Sequence, residues 1–506
     1  MTDPLDNLRR QAKTLQKQYE NGDTSALERV AAHLRPQKDP LKRADFLHVI
    51  ARERSFATWP QMKEAVGTLG MDRAAKVQRL KIALAHGQNG VVQRLLEETP
   101  DLAEGHFGLQ VALLQDAPVM AALADDPGLA VRPAGPRKPL LHLAFSRAIH
   151  IWPDREAAML RIAEALIAHG ADVNSAMDHD GHPLSALYGA IGHADNMVLG
   201  RWLLERGADP NDGESLYHAT ELGHHEGLKM LLEHGAKPNG TNALLRAMDF
   251  DDVPAVQMLL DAGADPNAFE DGPVGGEMPW VIPALHQAAR RQVSDAMCKV
   301  LLEAGADPGR DYQWASAYAF ARVFGHRGLA AMIEDLGAAP KLSPEEELLA
   351  LAAEGQVPAG TYLDEAQLPR AYRNIIREMV HLPGKLPHIK GLVALGLFYD
   401  KPDTEGLTPV QVAGWEGLTE MMAYFLTLRP DLSHINGFGG TLLSTIIHGS
   451  ENAPRSERSD HVGCARIALE QGVALPKEAL RLAGDPAMAA FLTDWAKAHP
   501  GQVTGA

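Results

Sequence analysis

A short phrase, Gly-Ala-Asp, returns through the middle of this 506-residue chain. It usually follows Leu-Leu-Glu and precedes Pro or Val and then Asn. Its copies, two of which lack the Asp, begin at Gly170, Gly207, Gly235, Gly263, Gly305 and Gly337. The spacings are therefore 37, 28, 28, 42 and 32 residues. A phrase that returns at such a period is typical of a solenoid, in which one helical unit is copied and stacked.

Stacking also explains how so long a chain can fold. A single compact core stops growing near about 250–300 residues, whereas each unit of a solenoid buries its apolar face only against its neighbours. The hydrophobic content of 45% argues against disorder. The apolar runs are short and interrupted, so we expect no membrane-spanning segment. The first residues carry charges where a signal peptide has an apolar core.

Cysteine use and charge narrow the compartment and the partners. Cys298 and Cys464 each lie inside an apolar helical pattern, so we expect two buried thiols and a reducing, cytoplasmic location. The net charge is −17, and because residues 1–66 carry +3, the remaining chain carries −20. Such a surface repels phosphate backbones, so we expect no nucleic-acid partner.

The pattern changes along the chain predict three parts. Residues 1–70 form an N-terminal helical element, residues 76–340 form the main repeat array, and residues 345–496 form a second, degenerate block with a C-terminal cap. A segment rich in Pro and Ala separates the two repeat blocks. Ser343 with Glu346 three residues later is a capping box, which predicts the start of a helix at that point.

The repeats also share motifs at the start of each unit. These are Pro139-Leu140-Leu141-His142, Pro183-Leu184, Ala284-Leu285-His286 and Thr408-Pro409, with Gly-His at 192–193, 223–224 and 325–326. With the Gly-Ala-Asp phrase they resemble the ankyrin repeat, whose consensus is T-P-L-H-x-A and then L-L-x-x-G-A-D-x-N. The resemblance implies an all-α ankyrin-repeat solenoid of stacked helix pairs with short hairpin fingers. It also implies that motif residues such as His142 and His286 hydrogen-bond neighbouring turns, and that a partner protein binds along the concave face.

Function in such an array should lie at the variable positions of each first helix. The residue after the motif His and the residue three positions later share one helix face. In two adjacent repeats these are His218 with Glu221, and Arg246 with Asp249, and we expect one polar patch in the groove. The full set of candidate binding residues is Tyr217, which replaces the motif His, His218, Glu221, Arg246, Asp249, Asp252, Trp280 in the Gly/Pro-rich loop 268–281, Arg290, Trp415 and His448.

Three interpretations of this patch remain open. The charges are ordinary ion pairs on a solvated helix face, or they bind a protein or peptide partner, or they line a pocket for a small anionic or polar ligand. In a catalytic version of the third interpretation, His218, Glu221 and Asp249 supply general acid and base, and Arg246 or Arg290 holds an anionic substrate. Partner binding is the main expectation.

Motifs for other chemistry are missing from the sequence. It contains no phosphate-binding G-x-x-x-x-G-K-[S/T], no H-E-x-x-H, no C-x-x-C and no G-x-S-x-G. The run from Asp178 to His182 has side chains that suit a metal, but its place in a hairpin finger predicts a turn. We therefore expect neither a cofactor nor a metal.

Overall fold

A computed structural model describes residues 4–34, 41–54, 59, 62, 71–179, 182–269, 272, 274–276, 281–453 and 456–505. The chain divides into two compact units, Met1–Ala236 (unit 1) and Lys237–Ala506 (unit 2). Most of the described residues are helical. The division into three parts that the sequence predicts remains a proposal.

Unit 1 consists of short helices and one hairpin. Its α-helices are Pro4–Glu20, Thr24–His33, Arg43–Arg52, Arg73–Ala85, Asn89–Glu98, Phe107–Ala112, Asp116–Asp125, Pro139–Ala144, Glu156–Ala168, Ala186–Tyr188, Met197–Leu204, Ser215–Ala219 and Glu226–Glu233. Short 3₁₀ helices span Pro127–Ala130, Ala148–His150 and Pro153–Arg155, and Gly189–His193 is a π-helical turn. Strands β1 (Ala176–His179) and β2 (His182–Ser185) form an antiparallel finger.

Unit 2 follows the same plan with more irregular connections. Its α-helices are Ala243–Asp249, Val253–Asp261, Ala284–Arg291, Asp295–Glu303, Ala317–Phe324, Arg327–Asp335, Pro344–Glu354, Ile375–Met379, Leu386–Ala394, Pro409–Trp415, Thr419–Thr427, Leu442–Asn452, His461–Glu470, Lys477–Leu482 and Pro486–Ala498. Its 3₁₀ helices are Glu365–Gln367, Arg370–Tyr372 and Pro500–Gln502. Strands β3 (Asp311–Tyr312) and β4 (Ala315–Ser316) pair antiparallel, and β5 (Leu475–Pro476) pairs parallel with β6 (Val503–Thr504).

The recurring phrase has a clear structural role. Its Gly closes the second helix of each repeat in the left-handed region, as Gly207 does with φ +88. The Asn that ends the phrase then bridges to the next copy. In unit 1, Asn174 Nδ2 donates to the Gly207 carbonyl at 3.4 Å, and its Oδ1 accepts from the Asp209 amide at 2.8 Å. In unit 2, Asn239 makes the same two bonds to Gly263 and Asp265, at 2.8 and 2.9 Å.

The motif histidines hold neighbouring turns, as the resemblance implied. His142 Nε2 lies 2.8 Å from the Ala134 carbonyl, and His286 Nε2 lies 3.0 Å from the Ala315 carbonyl. The His286 contact joins its helix to the turn that precedes the first helix of the next repeat, whereas the His142 contact stays within one repeat. We call the first helices of the repeats the groove helices; in unit 2, Ala284–Arg291 packs between Ala243–Asp249 and Ala317–Phe324.

An insertion interrupts one repeat of unit 2. The helix Pro344–Glu354 begins at the predicted capping box, in which Glu346 N–H donates to Ser343 Oγ at 3.1 Å. The second helix of this repeat starts only at Leu386. Residues 356–385, between the two helices, form the insertion. Tyr372 in this insertion is fully buried, and its ring lies 5.6 Å from that of Phe320 on a groove helix. The insertion thus covers part of the groove side of unit 2.

A membrane-crossing helix would have to be long and apolar along its whole length. None of the helices in the described ranges meets both conditions.

Candidate functional site

In unit 1 a histidine lies between two carboxylates. The helix Ser215–Ala219 carries His218, whose Nδ1 is 2.7 Å from Glu221 Oε2 and whose Nε2 is 3.4 Å from Glu214 Oε2. Positions i−4 and i+3 lie on the same helix face, so the local helix alone brings the three side chains together. The His218 side chain is 9% exposed and that of Glu214 is 7% exposed.

The surroundings of His218 decide its charge. Burial lowers the pKa of the imidazole, but hydrogen bonds and charge attraction from Glu214 and Glu221 outweigh it and raise the pKa from 6.5 to about 9. The ring is therefore an imidazolium at neutral pH, with both N–H groups directed at carboxylates. A protonated imidazole cannot accept a proton, so at neutral pH His218 is restricted to the role of a general acid in the catalytic interpretation.

The other unit 1 candidates differ in exposure. Tyr217 is 1% exposed and is one of the largest fully buried side chains, so it is a core residue and offers a partner no direct contact. This corrects the expectation that it lies in the binding surface: on a short helix, the motif-His position points inward. The side chain of Glu221 is 25% exposed and remains accessible from the groove.

Residues of the preceding repeat pack closely against His218. The Tyr188 ring lies 4.7 Å from the imidazole. Gly192, in the π-helical turn, has no side chain, and a Cβ there would lie 2.7 Å from the Cβ of His218. The neighbouring His193 has its pKa lowered to about 4, mainly by burial and then by Arg147, Arg137 and His218. Only the glycine allows this packing.

In unit 2 the central charge is a carboxylate. Asp249 ends the groove helix Ala243–Asp249, and Gln287 Nε2 donates to its Oδ1 at 2.7 Å. Arg291 Nε lies 2.7 Å from the same oxygen, and Arg291 Nη2 donates to Oδ2 at 3.2 Å. Arg246 Nη1 donates to Oδ2 at 3.4 Å. Donors engage both oxygens, which leaves Asp249 little capacity to act as a general base.

An exposed aromatic residue accompanies Arg246. The Phe250 side chain is 51% exposed, and the Arg246 guanidinium lies 4.8 Å from the centre of its ring. The sequence interpretation missed Phe250. The signal in the sequence is that Asp251-Asp252 stands where Gly-His stands in other repeats, and in the structure Asp251 takes the left-handed conformation of that Gly, with φ +52. Phe250 is thereby the last residue of the groove-helix turn.

The remaining candidates in unit 2 have separate roles. Asp252 Oδ1 accepts from the Ala255 amide at 3.0 Å and caps the helix Val253–Asp261, which is a structural role that the sequence interpretation did not assign. The Trp415 and His448 rings pair with each other at 5.2 Å. Trp280 lies outside the described residues.

Two charges beside the Asp249 network are left unpaired. Arg290 is half-buried on the groove helix Ala284–Arg291, and its Nε is buried without a hydrogen-bond partner among the described residues. Glu378, on the helix Ile375–Met379 of the insertion, has a buried Oε2 that also lacks a partner there. Burial raises the pKa of Glu378, whereas Arg290, Arg291 and Arg377 lower it.

The charged residues that neighbour Arg290 and Glu378 have partners of their own. Arg291 Nη1 lies 3.3 Å from His381 Nε2, so the groove helix and the insertion are in direct contact. Burial, followed by Arg291 and the other two arginines, lowers the pKa of His381 to about 4, and the ring is neutral. Arg377 Nη2 lies 2.7 Å from Asp403. The sequence offered no signal for these partners, because they come from an irregular insertion.

A metal site would need several ligand side chains at one point. Within the described part of the chain, no group of three or more His, Cys, Asp or Glu side chains has that arrangement.

Comparison with known proteins gives a family match and similar solved structures. The family model for ankyrin repeats (3 copies) matches residues 155–242 and 194–270. Among solved structures, the chain is similar to the human ASB11 ankyrin repeat domain, with a TM-score of 0.32 and 20% identity over 49% of this chain and 96% of that chain. It is also similar to the ankyrin repeat domain of Bcl-3, a member of the IkappaB family, with a TM-score of 0.35 and 21% identity over 46% and 98% of the two chains.

No curated protein sequence matches the chain. The predicted all-α fold of stacked helix pairs is confirmed by the family match together with the asparagine bridges between repeats. Residues 155–270 of the chain carry ankyrin repeats.

Proposed function

We propose that this protein binds a protein or peptide partner along the groove helices of unit 2, with Arg246 and Phe250 as the main contacts. Glu221 and His218 are candidate contacts on the groove helices of unit 1, considered by themselves. Ankyrin repeats are a general protein–protein interaction module, which supports the class of function. The residues and the partner are the further step that we propose.

The observation that carries this proposal is the pair formed by Arg246 and Phe250. An aromatic ring that is 51% exposed, with a guanidinium 4.8 Å above it, presents a flat apolar surface and a cation together. Aromatic residues and Arg are the types most enriched at the centre of protein interfaces. In the free protein this ring gains little from its position, so a role in contact with a partner accounts for it best.

The electrostatics favour a partner with an acceptor group near the ring. Arg246 is held by Asp249 at 3.4 Å, which is a long ion pair, and its side chain is 29% exposed. A partner carboxylate or backbone carbonyl is a suitable acceptor for the exposed part of this guanidinium. The groove helix already fixes the side chain through its stacking on Phe250, which lowers the entropy lost on binding.

The catalytic alternative has weaker support. His218 is charged at neutral pH, and the oxygens of Asp249 are occupied. Those two residues and Glu221 would have to supply acid and base. We propose no cofactor for this groove. A cytosolic location is proposed with the function, since Cys298 and Cys464 are both free thiols.

Site-specific crosslinking tests the proposal. A photoreactive phenylalanine analogue placed at Phe250 in the full chain is expected to crosslink a discrete partner in the source cells. The same analogue at Phe398, which is 58% exposed and lies outside the groove helices, is the matched control. Arg246→Ala should reduce the crosslinked yield at Phe250 about tenfold while thermal unfolding stays unchanged.

Two results would contradict the proposal. One is the same crosslinked species at equal yield from Phe250 and Phe398. The other is a yield at Phe250 that Arg246→Ala does not alter. Either would place the contact surface elsewhere on the protein.

A further inference from the structure

Two arginines of unit 1 lie at opposite ends of one groove helix. Arg137 precedes the helix Pro139–Ala144, and its guanidinium carbon lies 4.7 Å from the centre of the Phe145 ring, just past the end of that helix. The Arg137 side chain therefore runs along the groove helix and covers the ring. Arg147 follows two residues after Phe145, and its Nε and Nη2 donate to the His193 carbonyl at 3.0 and 2.7 Å.

Neither arginine has an acidic partner. In the same repeat, Arg161 Nε donates to the Asp116 carboxylate at 2.9 Å, which is the usual arrangement of a structural ion pair. Arg137 and Arg147, by contrast, have no carboxylate within 4.0 Å among the described residues. The chain contains 65 Asp and Glu against 48 Lys and Arg, so carboxylates are in excess. Two neighbouring cations that nevertheless lack one are available to an anion from outside the chain.

The two guanidinium groups make this part of unit 1 positively charged. The Phe145 ring lies 5.2 Å from the His193 ring, so these two rings separate Arg137 from Arg147. Burial, followed by the charges of Arg147, Arg137 and His218, lowers the pKa of His193 to about 4. His193 is therefore neutral and adds no repulsion. Burial also lowers the pKa of Arg137, and no acidic group counteracts it.

Both guanidinium groups have N–H donors that a partner can reach. Arg137 is half-buried, its nitrogens make no hydrogen bond in the described part of the chain, and none of them is fully buried. Arg147 is exposed, and the His193 carbonyl occupies only two of its nitrogens. Stacking on Phe145 holds Arg137 in place before binding, which lowers the entropy lost on association. Partial burial of Arg137 also strengthens its attraction to a carboxylate.

We propose that Arg137, Phe145, His193 and Arg147 form a docking surface for an acidic peptide segment of a partner protein. Asp or Glu side chains of the segment accept hydrogen bonds from the two guanidinium groups. The segment's own chain lies against the rings between them. The complementary charge selects an acidic segment, although the chain as a whole carries −17 and repels acidic molecules at long range.

This docking surface goes beyond partner binding at Arg246 and Phe250. All its residues belong to unit 1, and it specifies the charge of the bound segment. A failure of the Phe250 crosslink leaves it standing, and its own failure leaves the Phe250 contact standing.

Selection from a library of displayed random peptides on the immobilised full chain tests the proposal. The recovered peptides are expected to be richer in Asp and Glu than the unselected library. Fluorescein-labelled copies of the most enriched peptides are then titrated with the full chain, and fluorescence polarisation gives Kd. Replacing the acidic residues of a peptide by Asn and Gln should weaken its binding at least about tenfold.

Substitutions in the full chain locate the contact. Arg137→Gln and Arg147→Gln should each weaken binding of an acidic peptide about tenfold. The matched control Arg161→Gln removes the same charge from the helix Glu156–Ala168 of the same repeat, where the side chain is 59% exposed, and should bind like the unmodified chain. The amide peptide and Arg137→Gln combined should lose less than the sum of the two separate losses, because both remove the same contact.

Circular dichroism confirms that each variant is folded, and Arg147→Gln, at an exposed position, serves if Arg137→Gln unfolds. Four results would overturn the proposal. They are recovered peptides without an excess of Asp and Glu; acidic peptides whose binding neither Arg137→Gln nor Arg147→Gln weakens; equal weakening by Arg161→Gln; and displacement of the peptide by a DNA oligonucleotide of equal charge at a lower concentration, which would assign the surface to phosphate groups.

Discussion

The groove sides of the two units carry charge networks of opposite polarity. In unit 1 a cation, His218, lies between two carboxylates, those of Glu214 and Glu221. In unit 2 an anion, Asp249, lies among the donors of Arg246, Gln287 and Arg291. The first network is built almost entirely from residues within one turn of chain. The second joins two repeats, because Gln287 and Arg291 belong to the next groove helix.

This difference decides how each network responds to change. A local network depends on one titratable group, so pH controls it. The unit 2 network depends on arginines, which stay charged from about pH 6 to pH 10 although burial lowers the pKa of Arg291, so alkaline pH in this range leaves the network intact. Loss of one side chain should instead destabilise unit 2 more than unit 1, since the residues left without their partner belong to two repeats. The predictions below test this contrast, beginning with the largest effect.

Removal of Asp249 is expected to have the largest effect on stability. Asp249→Ala leaves the Arg291 guanidinium, 28% exposed, without its carboxylate and leaves Gln287 without an acceptor. Removal of one partner from a buried ion pair lowers the free energy of unfolding by about 3 kcal/mol, because the remaining charge stays desolvated. Urea unfolding of the full chain should therefore show an early transition for unit 2.

The control for this prediction is Asp261→Ala. Asp261 accepts from Gln257 at 2.8 Å on the exposed side of the helix Val253–Asp261, and its loss should cost less than about 0.5 kcal/mol. Equal destabilisation by the two substitutions would show that the Asp249 network adds nothing that an exposed carboxylate does not.

A His218→Gln substitution tests the unit 1 network through pH. The folded pKa of about 9 lies above the unfolded value of 6.5, so the imidazolium stabilises the fold fully below pH 6.5 and loses its effect as pH rises through 9. The shift corresponds to about 3 kcal/mol. Unfolding free energies of the two proteins, measured from pH 6 to 10, should differ most at low pH and converge above pH 9.

The same titration separates the two units. Asp249→Ala should cost the same at pH 7 and pH 9.5, because arginine does not titrate in this range. A difference between His218→Gln and the unmodified chain that stays constant with pH would mean that the imidazole is neutral in the fold, and the contrast between the units would be lost.

The sequence predicted the repeats and part of the groove, for reasons that these networks make clear. His218 with Glu221, and Arg246 with Asp249, were predictable because helix geometry alone places positions i and i+3 together. The Ser343–Glu346 capping box was predictable on the same local grounds. Glu214 was missed, although it lies four residues before His218, because it precedes the helix Ser215–Ala219, and the repeat motif marks only positions that follow it.

The contacts that the insertion makes could not be predicted from the spacing of residues within one helix. Arg291 follows directly after the predicted Arg290, yet Arg291 binds Asp249 and Arg290 does not. The other groups near these two arginines are His381 and Glu378. Both come from a segment without repeat pattern, so no spacing in the sequence places them.

Glu378→Gln is expected to give the smallest change, and in the opposite direction. Because burial raises the folded pKa of Glu378 above its ordinary 4.5, the carboxyl favours the fold when protonated, and this contribution is lost as pH rises through the folded pKa. An amide of the same shape removes the buried charge. The variant should therefore be more stable than the unmodified chain by about 1 kcal/mol at pH 8, and about equal to it near pH 4. Urea unfolding at the two pH values measures this. A loss of stability at pH 8 would mean that the carboxylate is held by the surrounding arginines as firmly as Asp249 is, and the distinction between satisfied and unsatisfied charges in unit 2 would fall.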